Sequence, residues 1–95
     1  QAVINRTHIG KYCVVNTGAI IEHNCNLGDN VFTGSGALIC GNCTIGNNVF
    51  IGSGAIIRDG ICIANNVIVG MGSIVTKSIF EAGIYYGNPV RKMRS

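Results

Sequence analysis

The chain has 95 residues and a mass of 10.0 kDa, room for one small domain. Hydrophobic residues make up 47% and charged residues only 12%, which excludes a solvated disordered chain and argues against a helical bundle, whose exposed faces need Lys and Glu. The net charge of +3 equals that of the tail residues Arg91, Lys92 and Arg94 taken together, so the body is near neutral and general nucleic-acid binding is not expected. No apolar run approaches the ~18–20 residues of a membrane span, so a soluble chain is expected. No signal peptide is recognisable at the start. Gln1 in place of Met points to a fragment or a processed form.

From the first residues onward the chain repeats. Every sixth residue from Val3 (Ile9, Val15, Ile21, Leu27, Thr33, Ile39 and so on to Val75) is Val, Ile or Leu in twelve of thirteen cases. Helical spacing does not produce that column. Four positions later runs a second column, uncharged and mostly small: Thr7, Cys13, Ala19, Cys25, Val31, Ala37, Cys43 and on to Ile79. The residue before it is Gly or Asn ten times in succession, from Gly18 and Asn24 to Asn66 and Gly72. Gly and Asn tolerate positive φ, so a corner recurs every six residues.

A longer period of eighteen lies over the shorter one. The segments VNTGAI at 15–20, TGSGAL at 33–38, IGSGAI at 51–56 and VGMGSI at 69–74 are one segment repeated. Three short strands and three corners therefore close one coil, and coils stack at ~4.8 Å, the spacing of paired strands. The expected fold is all-β: a parallel β-helix of about four to five coils over residues 1–80. The aliphatic column lies inside, and a short cap occupies residues 81–95, where the period is lost. Cys13, Cys25 and Cys43 fall on the small inward column, with Cys40 and Cys62 elsewhere. Cys40 and Cys43 have no second pair to complete a zinc site, so no metal is expected. The five cysteines read as small buried hydrophobes of a reduced, cytoplasmic protein.

The repeat is similar to that of the hexapeptide-repeat acyltransferases, a family whose coil is left-handed. More narrowly, NTGAIIEHNC at 16–25 and GNPVRKM at 87–93 resemble the sialic-acid O-acetyltransferase and bacillosamine-pathway N-acetyltransferase group. The resemblance spans about residues 3–93. It implies a left-handed coil, acetyl-CoA as acyl donor, an amine or hydroxyl of a sugar or nucleotide-sugar as acceptor, and a homotrimer with sites between subunits. Members of that group also carry an N-terminal βαβ domain for the nucleotide-sugar, which this sequence lacks.

Acyl transfer from a thioester needs a base, an oxyanion donor and positioning. His23 stands in the exposed corner column, where the resemblance puts the catalytic base. As a lone residue, without the resemblance, it reads first as a solvated surface histidine. Asn24 follows it, where the group commonly has Asp or Glu to orient the ring, and it also belongs to the Gly/Asn corner column. Gly41 lies eighteen residues after His23, one coil along, and the resemblance gives its amide the thioester oxygen. The resemblance places acetyl-CoA contacts at Ser53 and Met71. Phe32 stands where the group often has a second histidine near the acyl-CoA. Asn16 is the candidate contact to the acceptor or to His23, and Arg91, Lys92 and Arg94 suit CoA phosphates or, equally, form a solvated basic tail. His8 carries no motif.

Other readings remain. A γ-type carbonic anhydrase on this fold needs three zinc-binding histidines, and there are two. An ice-binding prism needs long Thr ladders, which are missing. A non-catalytic scaffold, or acyl transfer to another small acceptor such as serine, stays open.

Overall fold

A computed structural model describes all residues, 1–95, as a three-sided prism of 31 × 21 × 20 Å. No helix is long and apolar enough to cross a membrane. Thirteen short strands, from Val3–Ile4 to Ile74–Val75, fall in rotation onto three parallel sheets. The first face stacks Ile20–Ile21, Leu38–Ile39, Ile56–Ile57 and Ile74–Val75. The second stacks His8–Ile9, Asn26–Leu27, Thr44–Ile45 and Cys62–Ile63. The third stacks Val14–Val15, Phe32–Thr33, Phe50–Ile51 and Val67–Val69.

The eighteen-residue register follows from backbone bonding. An amide such as Phe32 N–H donates to the carbonyl of Val49 at 2.9 Å, and each coil repeats the pattern. A strand residue therefore sits over the residue eighteen further on. The columns follow: Ile21, Ile39 and Ile57 are fully buried, as are Ala19, Ala37 and Ala55. All ten members of the Gly/Asn column have φ between 57° and 76°. A residue with a Cβ pays for that conformation unless it is Asn or Asp, whose short polar side chain tolerates it.

The first coil departs from the expected register. Val3 pairs with Ile20 and Ile4 with Ile21, seventeen residues apart, so Ile4 rather than Val3 belongs to the inward column. The corner Asn5–Thr7 is one residue short, and Asn24 N–H donates to Arg6 O at 3.0 Å. Arg6 thus stands beneath His23, where strict counting puts Asn5. At the other end the ladder outlasts the six-residue period. Gly83–Gly87 pairs parallel with Val67–Val69, sixteen residues on, and turns through a cis Asn88–Pro89 bond into the antiparallel strand Val90–Arg94. Tyr85 and Val90 of this hairpin pack on the end of the core.

Polar atoms on the small inward column share one solution. Thr7 Oγ1 donates to Glu22 O at 2.8 Å, and the thiols of Cys13, Cys25 and Cys43 donate to the carbonyls of Gly28, Cys40 and Arg58 at 3.1–3.2 Å. Each acceptor lies fifteen residues on, at the near edge of the next coil's corner. Thr33 has no such neighbour: it occupies the aliphatic column, is fully buried, and its hydroxyl finds no partner. A desolvated, unbonded hydroxyl is a net cost, and valine has the same shape without it. Thr33→Val should therefore raise stability by about 1–2 kcal/mol, read as a higher urea midpoint with an unchanged slope.

Candidate active site

The corner between the first and second faces carries Glu22–His23–Asn24, with Cys40–Gly41–Asn42 stacked one coil above. His23 is exposed. Gly41 is buried against it: a Cβ at position 41 would lie 3.4 Å from His23 Cε1 and 3.3 Å from its carbonyl oxygen. A Cβ there would crowd the His23 carbonyl and touch the imidazole at contact distance, so glycine leaves free space against that face of the ring. The Gly41 N–H donates to no other group of the chain.

Asn24 serves two ends at once. Its φ of 61° makes the corner. Its side-chain amide lies 3.2 Å from His23 Nδ1 through Nδ2. With the amide nitrogen toward the ring, Nδ1 accepts and the ring proton sits on Nε2. With the amide turned over, Nδ1–H donates to Oδ1 and the Nε2 lone pair faces solvent. Base chemistry at Nε2 needs the second arrangement.

Beside the histidine, burial raises the Cys40 thiol above its ordinary pKa, with the Glu22 and Asp59 carboxylates adding to the shift and Arg58 opposing it. Burial alone dominates at Cys43, pushed up to about 11. These thiols are protonated at neutral pH and are poor nucleophiles. All five cysteines are free, and no cluster of His, Cys, Asp and Glu is arranged to hold a metal.

The other candidate residues lie elsewhere on the prism. Asn16, Ser53 and Met71 share the corner between the third and first faces. A Cβ at Gly34 or Gly52 would sit 2.5 Å from the amide nitrogens of Ser53 and Met71, so side chains there would press on those amides. Phe32 points outward from the third face, stacked on Phe50 with ring centroids 4.7 Å apart. One chain therefore brings His23, Asn24 and Gly41 together, and Asn16, Ser53 and Met71 together. The first face separates the two groups.

The three corners differ in a way that residue counting missed. On the corner between the second and third faces, Asp29 Oδ1 accepts from Lys11 N–H, Asn47 Oδ1 from Asp29 N–H, and Asn65 Oδ1 from Asn47 N–H, at 2.7–2.8 Å. The amide row there is sealed by its own side chains. On the other two corners, the amides of His23, Gly41 and Asp59, and of Ser35, Ser53 and Met71, donate to nothing within the chain. The signal was present as Asp29, Asn47 and Asn65 at eighteen-residue spacing.

The family model for bacterial transferase hexapeptide repeats matches residues 6–41 and 42–77. The chain belongs to the hexapeptide-repeat transferase family. With that membership goes the left-handed coil of about five turns. No curated protein sequence matches the chain. Among solved structures it is similar to a variant of GDP-perosamine N-acetyltransferase from Caulobacter crescentus, in complex with CoA and GDP-perosamine. That likeness has 28% identity and a TM-score of 0.95, covering 99% of this chain and 45% of that one. It is similar to WeeI from Acinetobacter baumannii at 29% identity and a TM-score of 0.83, covering 97% and 54%. The acetyltransferase domain of PglB from Neisseria gonorrhoeae, at 21% identity, a TM-score of 0.77 and 97% and 54% coverage, shares the fold. The chain thus spans about half the length of these relatives.

Raised thiol pKa values set a pH dependence for this hexapeptide-repeat chain. Folding raises Cys43 from 9.0 to about 11, so the folded state holds its proton more tightly than the unfolded state. The stability this contributes is fully present below pH 9.0 and is lost as pH rises through 11. The unfolding midpoint should fall across that window, and Cys43→Ala should flatten the fall.

Proposed function

We propose that this chain is the donor-binding half of an acetyl-CoA-dependent acyltransferase, with His23 as general base and a sugar or nucleotide-sugar amine or hydroxyl as acceptor. The observation that carries the reading is His23 lying against Gly41 on one of two corners whose amide rows are open. The relatives support it: one is a sugar N-acetyltransferase complexed with CoA and GDP-perosamine. An amine acceptor is the better match to that relative.

The reaction follows from the residues. The acceptor amine or hydroxyl attacks the thioester carbon, and its proton passes to His23 Nε2. Asn24 Oδ1, accepting from Nδ1–H, holds the ring in the tautomer that leaves Nε2 free. The carbonyl oxygen gains negative charge in the tetrahedral intermediate, and the Gly41 N–H donates to it. The carbon–sulfur bond then breaks, and the departing thiolate takes the proton from His23. Ser53 and Met71 hold the donor through backbone amides, with Phe32 beside them, and Asn16 contacts the acceptor.

The two open corners must meet on one donor, and a single prism holds them apart. We therefore place the site between subunits of a homotrimer. The first face presents Ile20, Leu38, Ile56 and Ile74 outward, and the third presents Val14, Phe32, Phe50 and Ile68. The second presents His8, Asn26, Thr44 and Cys62. Two apolar faces and one polar face suit a molecule with two neighbours. The five unpaired thiols fit the reducing cytoplasm.

Light scattering should give a mass near three times 10.0 kDa for this chain at micromolar concentration; a stable monomer would remove the site as described. In the protein carrying its acceptor-binding part, His23→Ala should lower turnover by ~10²–10⁴-fold with the melting temperature and CoA affinity nearly unchanged. Asn24→Asp keeps the corner, since Asp also tolerates positive φ. Its charge should stabilise the imidazolium and move the acidic limb of the rate profile to higher pH. Wild-type turnover from His23→Ala would place the base elsewhere.

A further inference from the structure

The shortened first coil brings a cation to the histidine corner. Arg6 stands one coil below His23, about 4.8 Å along the axis. Its backbone is gripped from both flanks of that histidine. Asn24 N–H donates to Arg6 O at 3.0 Å. The Thr7 hydroxyl donates to Glu22 O at 2.8 Å and accepts from Cys25 N–H at 3.3 Å. Residues 6 and 7 are thus tied to residues 22, 24 and 25, and the root of the Arg6 side chain keeps a set position relative to the imidazole.

These bonds hold Arg6 in an unfavourable conformation. Its φ is 30°, outside the 57–76° of the Gly and Asn corners, and arginine has no short polar side chain to ease the left-handed region. Glycine or asparagine would suit the turn better. Arg6 is also exposed, and its guanidinium pairs with no carboxylate: the single ion pair of the chain is Lys92–Glu81, at the opposite end of the prism. Glu22, the carboxylate next to His23, is half-buried and makes no bridge to it. The other cations of this corner, Arg58 and Lys77, stand beyond Gly41, two and three coils from His23. An unpaired charge is therefore kept beside the histidine at a cost in backbone strain.

Position decides which reactant this charge can meet. The Gly41 N–H, assigned to the thioester oxygen, lies on the C-terminal side of the ring, so the reacting end of the donor takes that side. The attacking amine or hydroxyl sits at Nε2, and the rest of the acceptor is left with the N-terminal side. Arg6 is the first charged side chain there. A guanidinium meets phosphate or carboxylate oxygens with a planar fork.

We propose that Arg6 is a specificity-determining residue for the acceptor, binding an anionic group close to the nucleophile. This rests on the acyl-transfer reading above and adds a requirement to it: the acceptor carries a phosphate or a carboxylate near the group that attacks.

Steady-state kinetics of the protein carrying its acceptor-binding part, at saturating acetyl-CoA, tests this with four acceptors: glucosamine, glucosamine-1-phosphate, UDP-glucosamine and glucosaminuronic acid. The charged acceptors should have the lower KM, and the phosphate and carboxylate arms show which anion is preferred. Arg6→Asn should raise KM for the preferred acceptor by roughly tenfold to a hundredfold, the loss of one charge-assisted contact. Arg6→Lys should retain part of the preference. Arg6→Asn should also melt at or above the wild-type temperature, because asparagine tolerates the left-handed turn; a loss of binding through damage to the fold would lower it. Charged acceptors no better than glucosamine, or equal KM values in wild type and Arg6→Asn, overturn the assignment and leave the acyl-transfer reading standing. No transfer from acetyl-CoA to any of the four by the wild-type protein overturns that reading and the assignment with it.

Discussion

Axial stacking of identical coils governs everything else in this molecule. In the regular coils each ladder amide of a strand reaches the carbonyl seventeen residues on, so a residue placed once is placed again eighteen residues later. Errors would accumulate along the axis, and the corners are where they would enter. A corner needs one residue in the left-handed region, and all ten Gly and Asn residues of that column adopt it. Because the turn is bought with backbone conformation alone, the corner side chains are released for other work. Asn24 uses that freedom to reach a histidine, and Asn30 to bond Asn48 Oδ1 at 2.8 Å.

The same repetition explains how much was readable beforehand. The two inward columns and the positive-φ column follow from counting by six, because each has a composition that only one environment demands. The seventeen-residue first coil was not readable that way. A missing corner residue leaves aliphatics at both Val3 and Ile4, and only the pairing of Ile4 with Ile21 decides between them. The thiol bonds to carbonyls fifteen residues on were equally hidden, since Cys is read as an apolar residue when only its size is considered. The continuation of the third sheet through Gly83–Tyr85 escaped for a different reason: its ladder bonds remain while the six-residue signature has gone.

The division of the site between corners was legible and shows what arithmetic can do here. Gly41 follows His23 by eighteen and must share its corner. Ser53 follows His23 by thirty, which is not a multiple of eighteen, so the two cannot stack. A family resemblance supplies both residues as parts of one site, and the period of the chain separates them. The proposed site uses both and so calls for a second copy, and the faces have the chemical asymmetry that such an assembly would use.

Backbone amides are the functional resource that this architecture produces in excess. At each corner the middle residue turns its N–H away from the ladder, leaving a row of donors at one coil's spacing. On one corner Asp29, Asn47 and Asn65 close that row by lending a side-chain oxygen to the coil before. On the other two, histidine, glycine, serine and methionine leave it open, and Asp59, though an aspartate, accepts nothing from Gly41 N–H. A corner that were only structural would gain from the closed arrangement, since each cap satisfies a donor at the cost of one short side chain. The open rows flank the apolar first face and the sealed row lies opposite it. That distribution is what a ligand held by backbone at a subunit boundary would require, and it depends on no residue's being identical to that of a relative.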